Sequence, residues 1–406
     1  MGTTSPLRRP GFVRLVTAQA ISSVGDWLAT FAMMALVLAI TGSSAAVGGI
    51  LVLRLSPAVL AGPVIARVVT RWNVRSIMLR ADLVRAAIAA LLPLVAELWW
   101  VYGWALALEL VTLVATAARD GSVSLLADAD DLPLANGLLM ASTYGSLPVG
   151  AALFTAIGVL LAGPGRLVLA FGLDALTFLG SYLLVSRITE LSTQTPPALS
   201  ASRGPSLRGA LAVPIVRSTI GPLTVAALGI GTLFSLGIVF VRDTLGAGEE
   251  QFGVLVVVFG AGALLGLWIR QSRPPARGVV WAVRVGVAVM GAVLTAMSLV
   301  TSLAPAFVAA LAFGAAAVYA IVSGITALQT SVAEDRRLLA LGAFHVAIRV
   351  ALGLGALGAG LAADLVGTAA WPLVGRVDGI RAVMFGSGVI VVAGALATRA
   401  TSVAQS

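Results

Sequence analysis

The chain of 406 residues has no cysteine, which excludes disulfides, thiolate nucleophiles and cysteine-ligated metals. It has one histidine, His345, so a histidine-rich metal site lacks ligands and a Ser-His-Asp triad would rest on that residue alone. Lysine is absent, and all 26 basic residues are arginine. No glycine run is followed by the Lys-Ser/Thr of a nucleotide-binding loop, which argues against an ATP-driven pump or nucleotide-using enzyme within this chain. Charge itself is scarce: 11% of residues are charged, where soluble domains carry about 25%. No A-x-A-like site follows the first apolar segment, which is also too long for a cleavable signal peptide, so none is expected.

What is present is apolar surface. Hydrophobic residues make up 59% of the chain, and runs of spanning length recur from end to end. Runs of about 20 residues fit membrane helices, whereas barrel strands alternate over about 10. The sequence predicts an all-α polytopic membrane protein with twelve transmembrane helices. They fall near 13–40, 45–68, 77–96, 100–118, 135–162, 167–187, 219–241, 251–270, 279–301, 305–329, 339–366 and 381–398. With the N-terminus inside, eighteen arginines, among them Arg71, Arg75 and Arg119, fall at or near the cytoplasmic side. Only Arg166, Arg242, Arg376 and Arg381 fall outside. That asymmetry predicts cytoplasmic termini and an even number of spans, and it accounts for the net charge of +9 without a nucleic-acid partner.

The longest polar stretch, Thr189 to Pro214, has linker composition. It divides the expected domains into a six-helix bundle over 1–188, a cytoplasmic linker over 189–216 and a second six-helix bundle over 217–406. Six plus six is the arrangement of transporters built from two pseudo-symmetric bundles. The glycine runs Gly260–Gly266 and Gly353–Gly360 place small residues three to four apart inside apolar spans, which suits close helix packing.

Ionisable groups inside spans are functional candidates by default. A carboxylate at the centre of a spanning helix costs roughly 2.5–3.5 kcal/mol on insertion scales. Asp26, within Gln19 to Trp27 (QAISSVGDW), lies near the middle of the first apolar segment, and Glu109 lies similarly in the fourth. Both are candidates for proton or substrate handling. Arg54 is a candidate partner for Asp26 or for an anionic substrate group. Asp82 and Arg85 are spaced i,i+3 and can meet on one helix face. Asp174 reads as a structural carboxylate, and His345 and Arg349, spaced i,i+4, as a gate or packing contact. Trp27, Phe31 and Trp104 are candidate substrate contacts, because aromatic walls suit lipophilic and cationic molecules.

Several segments resemble the major facilitator superfamily, most of all its bacterial drug-efflux branch that includes macrolide exporters. Gln19-x-x-Ser22-x-x-Gly25-Asp26 is similar to that branch's opening signature. Ala81-Asp82-Leu83-Val84-Arg85-Ala86, Leu132 to Gly137, and Asp243 to Gly246 with Phe252-Gly253 are also similar. The loop from Gly62-Pro63 through Arg71 and Arg75 sits where the superfamily has its glycine–aspartate–arginine loop. Thr70 stands where the family has an aspartate that helps latch the cytoplasmic side, so the latch is weaker here or Asp82 substitutes for it. The resemblance implies a proton-coupled secondary antiporter, with no cofactor beyond the proton gradient. It implies spans one and four beside a central cavity, a bacterial cytoplasmic membrane, a small-molecule cargo and a monomer. Export of a siderophore, natural product or lipid, with Arg54 meeting an anionic group, is the alternative on the same fold. A non-transporting membrane subunit or sensor is a third reading, motivated by Thr70.

Overall fold

The computed structural model describes residues 6–55, 57, 72–128, 131–161, 163, 165–191, 214–273, 275, 278–332, 334–371 and 375–397. Among these residues the elements are α1 (Pro10–Thr41), α2 (Ser44–Leu55), α3 (Val74–Leu91), α4 (Leu98–Leu126), α5 (Leu132–Tyr144), α6 (Leu147–Leu160) and α7 (Gly165–Ser186). They continue with α8 (Pro214–Val239), α9 (Glu249–Ser272), α10 (Val279–Ser298), α11 (Leu303–Ser331), α12 (Glu334–Val366), β1 (Thr368–Trp371), β2 (Gly375–Asp378) and α13 (Gly379–Ala397). The fold is that of a helical membrane protein, and ten described helical segments are long and apolar enough to cross a bilayer.

Two expected spans are not among the ten, for different reasons. The second is described as helix only over α2, and 58–68 lie outside the described residues. The third, α3, is long enough but carries Arg75, Arg80, Asp82 and Arg85 within 18 residues, so its composition sets it apart. The fifth expected span is two helices broken at Gly145-Ser146. Pro148, in the first turn of α6, has no N–H to offer the carbonyl four residues back and its ring crowds that carbonyl, which breaks the helical ladder there. An antiparallel hairpin, β1 with β2, departs from the all-helical expectation between α12 and α13. Asp378 anchors it by accepting from the Thr244 hydroxyl (2.7 Å) and from the Ile380 N–H at the start of α13 (2.9 Å).

Contacts divide the chain into two compact units, Met1–Ile40 with Pro57–Ala201, and Thr41–Ser56 with Ser202–Ser406. In the first, α3 packs on α4 and α7. One end of this unit is closed by Phe12, Leu15, Val74, Met78, Leu126, Ile188 and Leu191. In the second, α9 packs on α11, α8 on α12, α10 on α13, and α2 on α12. Glycine makes the α9–α11 crossing possible: a Cβ on Gly262 would lie 2.0 Å from the Leu311 carbonyl oxygen. Hydrophobicity gives little driving force between helices in lipid, so such backbone contact is what holds them.

Candidate functional site

The QAISSVGDW stretch is the strut on which the first unit is assembled. Gln19 donates from Nε2 to Ser23 Oγ (2.7 Å) and to Thr143 Oγ1 on α5 (2.8 Å). The Trp27 indole donates to the Thr143 carbonyl (3.1 Å), and Ser146 Oγ reaches the Ala20 carbonyl (3.3 Å). The break between α5 and α6 is therefore docked on α1 by three side chains. Gly150, one turn into α6, permits the contact, because a Cβ there would lie 2.7 Å from the Trp27 Cβ.

Gly25 does the same on the opposite side. A Cβ at this position would fall 2.1 Å from Thr177 Oγ1 and 2.5 Å from Asp174 Oδ1. The Asp174 carboxylate on α7 thus lies directly against α1, beside the residue that precedes Asp26. Asp174 is fully buried, and neither it nor Asp26 is isolated, since both have further interactions. One turn along α7, the Phe178 ring lies 4.3 Å beneath the Arg85 guanidinium, a cation–π contact between α7 and α3. Arg85 is ion-paired with Asp82 on its own helix, with the two side chains 1% and 2% exposed. Asp82 Oδ2 and Arg85 Nε are buried without a hydrogen bond among the described residues.

Arg119 lies beside this pair, in a helix longer than its apolar run. The fourth apolar run was expected to end at 118; the helix α4 continues to Leu126, and Arg119 is buried within it. It is 7% exposed and forms no ion pair or hydrogen bond among the described residues. It interacts electrostatically with Arg85, Asp82, Asp120 and Asp26. Asp82 and Arg85 on α3, Arg119 on α4 and Asp174 on α7 are thus buried in the first unit, with half-buried Asp26 on α1 within electrostatic range of Arg119.

The remaining candidates lie elsewhere. Glu109 is half-buried on α4, about 15 Å along the helix axis from Arg119. Arg54 is half-buried near the end of α2 and belongs to the second unit, whereas Asp26 belongs to the first. Arg75 sits in the first turn of α3 and donates to the Ser186 carbonyl; Asn73 caps that helix through the N–H groups of Arg75 (3.0 Å) and Ser76 (3.3 Å). Arg71 and Thr70 lie outside the described residues. His345 is exposed and edge-on to Phe344, one helical turn from half-buried Arg349 on α12.

The aromatics are packed among themselves. Phe31 is fully buried, between Trp27 (centroids 6.4 Å apart) and Phe154 (6.1 Å). Trp104 meets Trp100 edge-on (5.5 Å) and packs against Leu108 and Phe178 among others. An apolar pocket that the sequence did not signal lies in the second unit. It is lined by Phe234, Phe252, Phe259 and Phe313 with Leu255 and Met297.

No protein-family profile matches the sequence, and no curated protein matches it. Solved structures do match its fold. A bacterial homologue of the human lysosomal transporter Spinster, in an inward-facing occupied conformation, is similar with a TM-score of 0.74 and 17% identity. That match covers 97% of this chain and 96% of that one. The nucleoside transporter NupG is similar at 0.74 and 13% identity, over 96% and 98% of the two chains. A POT family transporter in complex with 5-aminolevulinic acid is similar at 0.71 and 11% identity, over 96% and 95%. The chain shares the fold of these solved transporters.

Proposed function

We propose that the protein is a secondary transporter that exports amphipathic small molecules, driven by inward proton flow. The buried side chains of Asp82, Arg85, Asp174 and Arg119, with half-buried Asp26 within electrostatic range of Arg119, are the observation that carries this reading. These five side chains hold three carboxylates and two guanidiniums. One proton on a carboxylate balances that count, and its loss leaves a charge inside the membrane. Buried charges are tolerated only when paired, so proton binding and release changes which pairings are favourable. A two-state helical protein whose states differ in that pairing converts a proton gradient into movement. The cluster sits on four helices, so its charge state is felt by all of them.

In this mechanism Asp26 is the proton carrier, Arg119 its counter-charge, and the Asp82–Arg85 pair the fixed partner that keeps Arg119 in place. Glu109, further along α4, is a second carboxylate on the same route. The transporter fold of the similar structures and the branch resemblance support the transport class; the arginine asymmetry supports a bacterial cytoplasmic membrane with both termini inside. Purified protein in vesicles, loaded with a panel of lipophilic cations, tests the residue roles. Asp26→Asn is expected to abolish proton-coupled efflux while leaving a folded, membrane-inserted protein. Arg119→Ala is expected to reduce coupling at least tenfold, with Arg119→Lys restoring part of it. Wild-type transport by both Asp26→Asn and Glu109→Gln would remove the mechanism.

A further inference from the structure

Helix α2 is flanked in sequence by the first unit on both sides, yet its own contacts place residues 41–56 in the second. What holds it there is specific. Asp364, near the end of α12, accepts from the Ser43 hydroxyl (2.5 Å) and from the backbone N–H groups of Ser44 and Ala45 (both 3.0 Å). These are orphan donors at the start of α2, where the helix dipole also favours a negative charge. The cap is therefore supplied by a different helix, far away in sequence.

Below the cap runs a seam of small residues. A Cβ on Gly360 would lie 2.5 Å from the Ser44 carbonyl oxygen, and one on Gly48 would lie 2.5 Å from the Ala356 carbonyl oxygen. Ser235 on α8 donates to the same Ser44 carbonyl (3.3 Å). The seam is made of backbone surfaces in contact, which can part and re-form without repacking large side chains. Asp364 is a carboxylate of α12 that bonds directly to the start of α2.

We propose that Asp364 is a positioning residue of the transport cycle: it clasps the N-terminus of α2 to α12 in one state, and α2 leaves α12 when the clasp opens. The inference rests on the alternating-access reading, in which helices linked to one unit and packed on the other must change partners. It goes beyond the proton site, because it concerns neither Asp26 nor the cargo.

The absence of native cysteine makes the test direct. A Cβ at Gly353 would lie 3.9 Å from Val52 Cα, within reach of a disulfide, whose Cβ atoms lie about 3.5–4.5 Å apart. The pair Val52→Cys with Gly353→Cys is expected to cross-link in membranes under mild oxidant. Adding Asp364→Ala is expected to slow that cross-linking roughly fivefold, the change in population that loss of one capping interaction brings. Asp364→Glu should recover part of the rate, and Ser43→Ala should slow it less than Asp364→Ala does. Cross-linked protein is expected to stop transporting and to resume on reduction. No cross-link in the otherwise unaltered pair, an unchanged rate with Asp364→Ala, or full transport by the cross-linked protein would each overturn the clasp. Cross-linking needs no cargo, so failure to find any transported compound counts against the transport reading and leaves the clasp to be decided by the rates.

Discussion

At Gly25 a missing side chain decides where a buried carboxylate can sit. Its hydrogen leaves room for the Asp174 carboxylate and Thr177 hydroxyl of α7 against α1. Gly25→Ala is expected to force α1 and α7 apart and to destabilise the protein by about 1–3 kcal/mol, the usual cost of overpacking. Thermal unfolding in detergent should show a lower midpoint, and adding Thr177→Ala should recover part of the loss, since it deletes the nearest clashing atom. An unchanged midpoint would mean that α7 does not approach α1 as described. Asp26 itself was legible in the sequence, because a lone carboxylate in an apolar run has no bland explanation from composition. The partnership of Gly25 with Asp174 was not, since it depends on which helix crosses α1 some 150 residues later in the chain. The true end of α4 was missed for a different reason. Arg119 and Asp120 depress the local hydropathy and so appear to end a helix that in fact runs on to Leu126. The i,i+3 spacing of Asp82 and Arg85 could be read directly, because both lie on one helix and the spacing fixes their relative direction.

Among the elements, the broken span formed by α5 and α6 is the most informative. Pro148 interrupts the hydrogen-bond ladder, and the Trp27 indole takes the Thr143 carbonyl next to the break. A tryptophan expected to contact substrate thus also has a definite structural task. Trp27→Phe keeps a ring to stack on Phe31 but leaves that carbonyl without the indole donor. It is expected to cost about 1–3 kcal/mol of stability, because an acceptor without its partner loses more than the net worth of one hydrogen bond. Chemical denaturation monitored by the remaining tryptophans measures this, and an unaltered stability would show that water or another group replaces the indole. Hydropathy merged α5 and α6 into one span because the sequence around Gly145-Ser146 remains apolar on either side. Proline was visible there, but hydropathy carries no angle. The hairpin of β1 and β2 was missed for a related reason: it is short, follows a long apolar helix, and is anchored by Asp378 to Thr244, a contact that spans more than a hundred residues.

On the scale of the whole molecule, the sequence fares best where physics averages over many residues. Spanning lengths, the central polar stretch and the arginine asymmetry each sum weak signals, and the helical membrane fold emerges from them with little ambiguity. Packing does not average in this way. That residues 41–56 associate with the second unit, although the chain enters and leaves them from the first, depends on single contacts such as Asp364 with Ser43. The proposed function stands between these limits: the transporter fold is set by the helices, while the coupling we propose rests on a few charged side chains in the first unit. The central claim is that transport and proton movement are one process. Purified protein in vesicles with an imposed pH gradient, acidic inside, tests it through a pH-sensitive dye in the lumen. Addition of a transported lipophilic cation outside is expected to draw protons out and collapse the gradient faster with the unaltered protein than with Asp26→Asn or with protein-free vesicles. Equal rates in all three, across a cation panel in which labelled compound demonstrably enters the vesicles through the unaltered protein, would contradict the account.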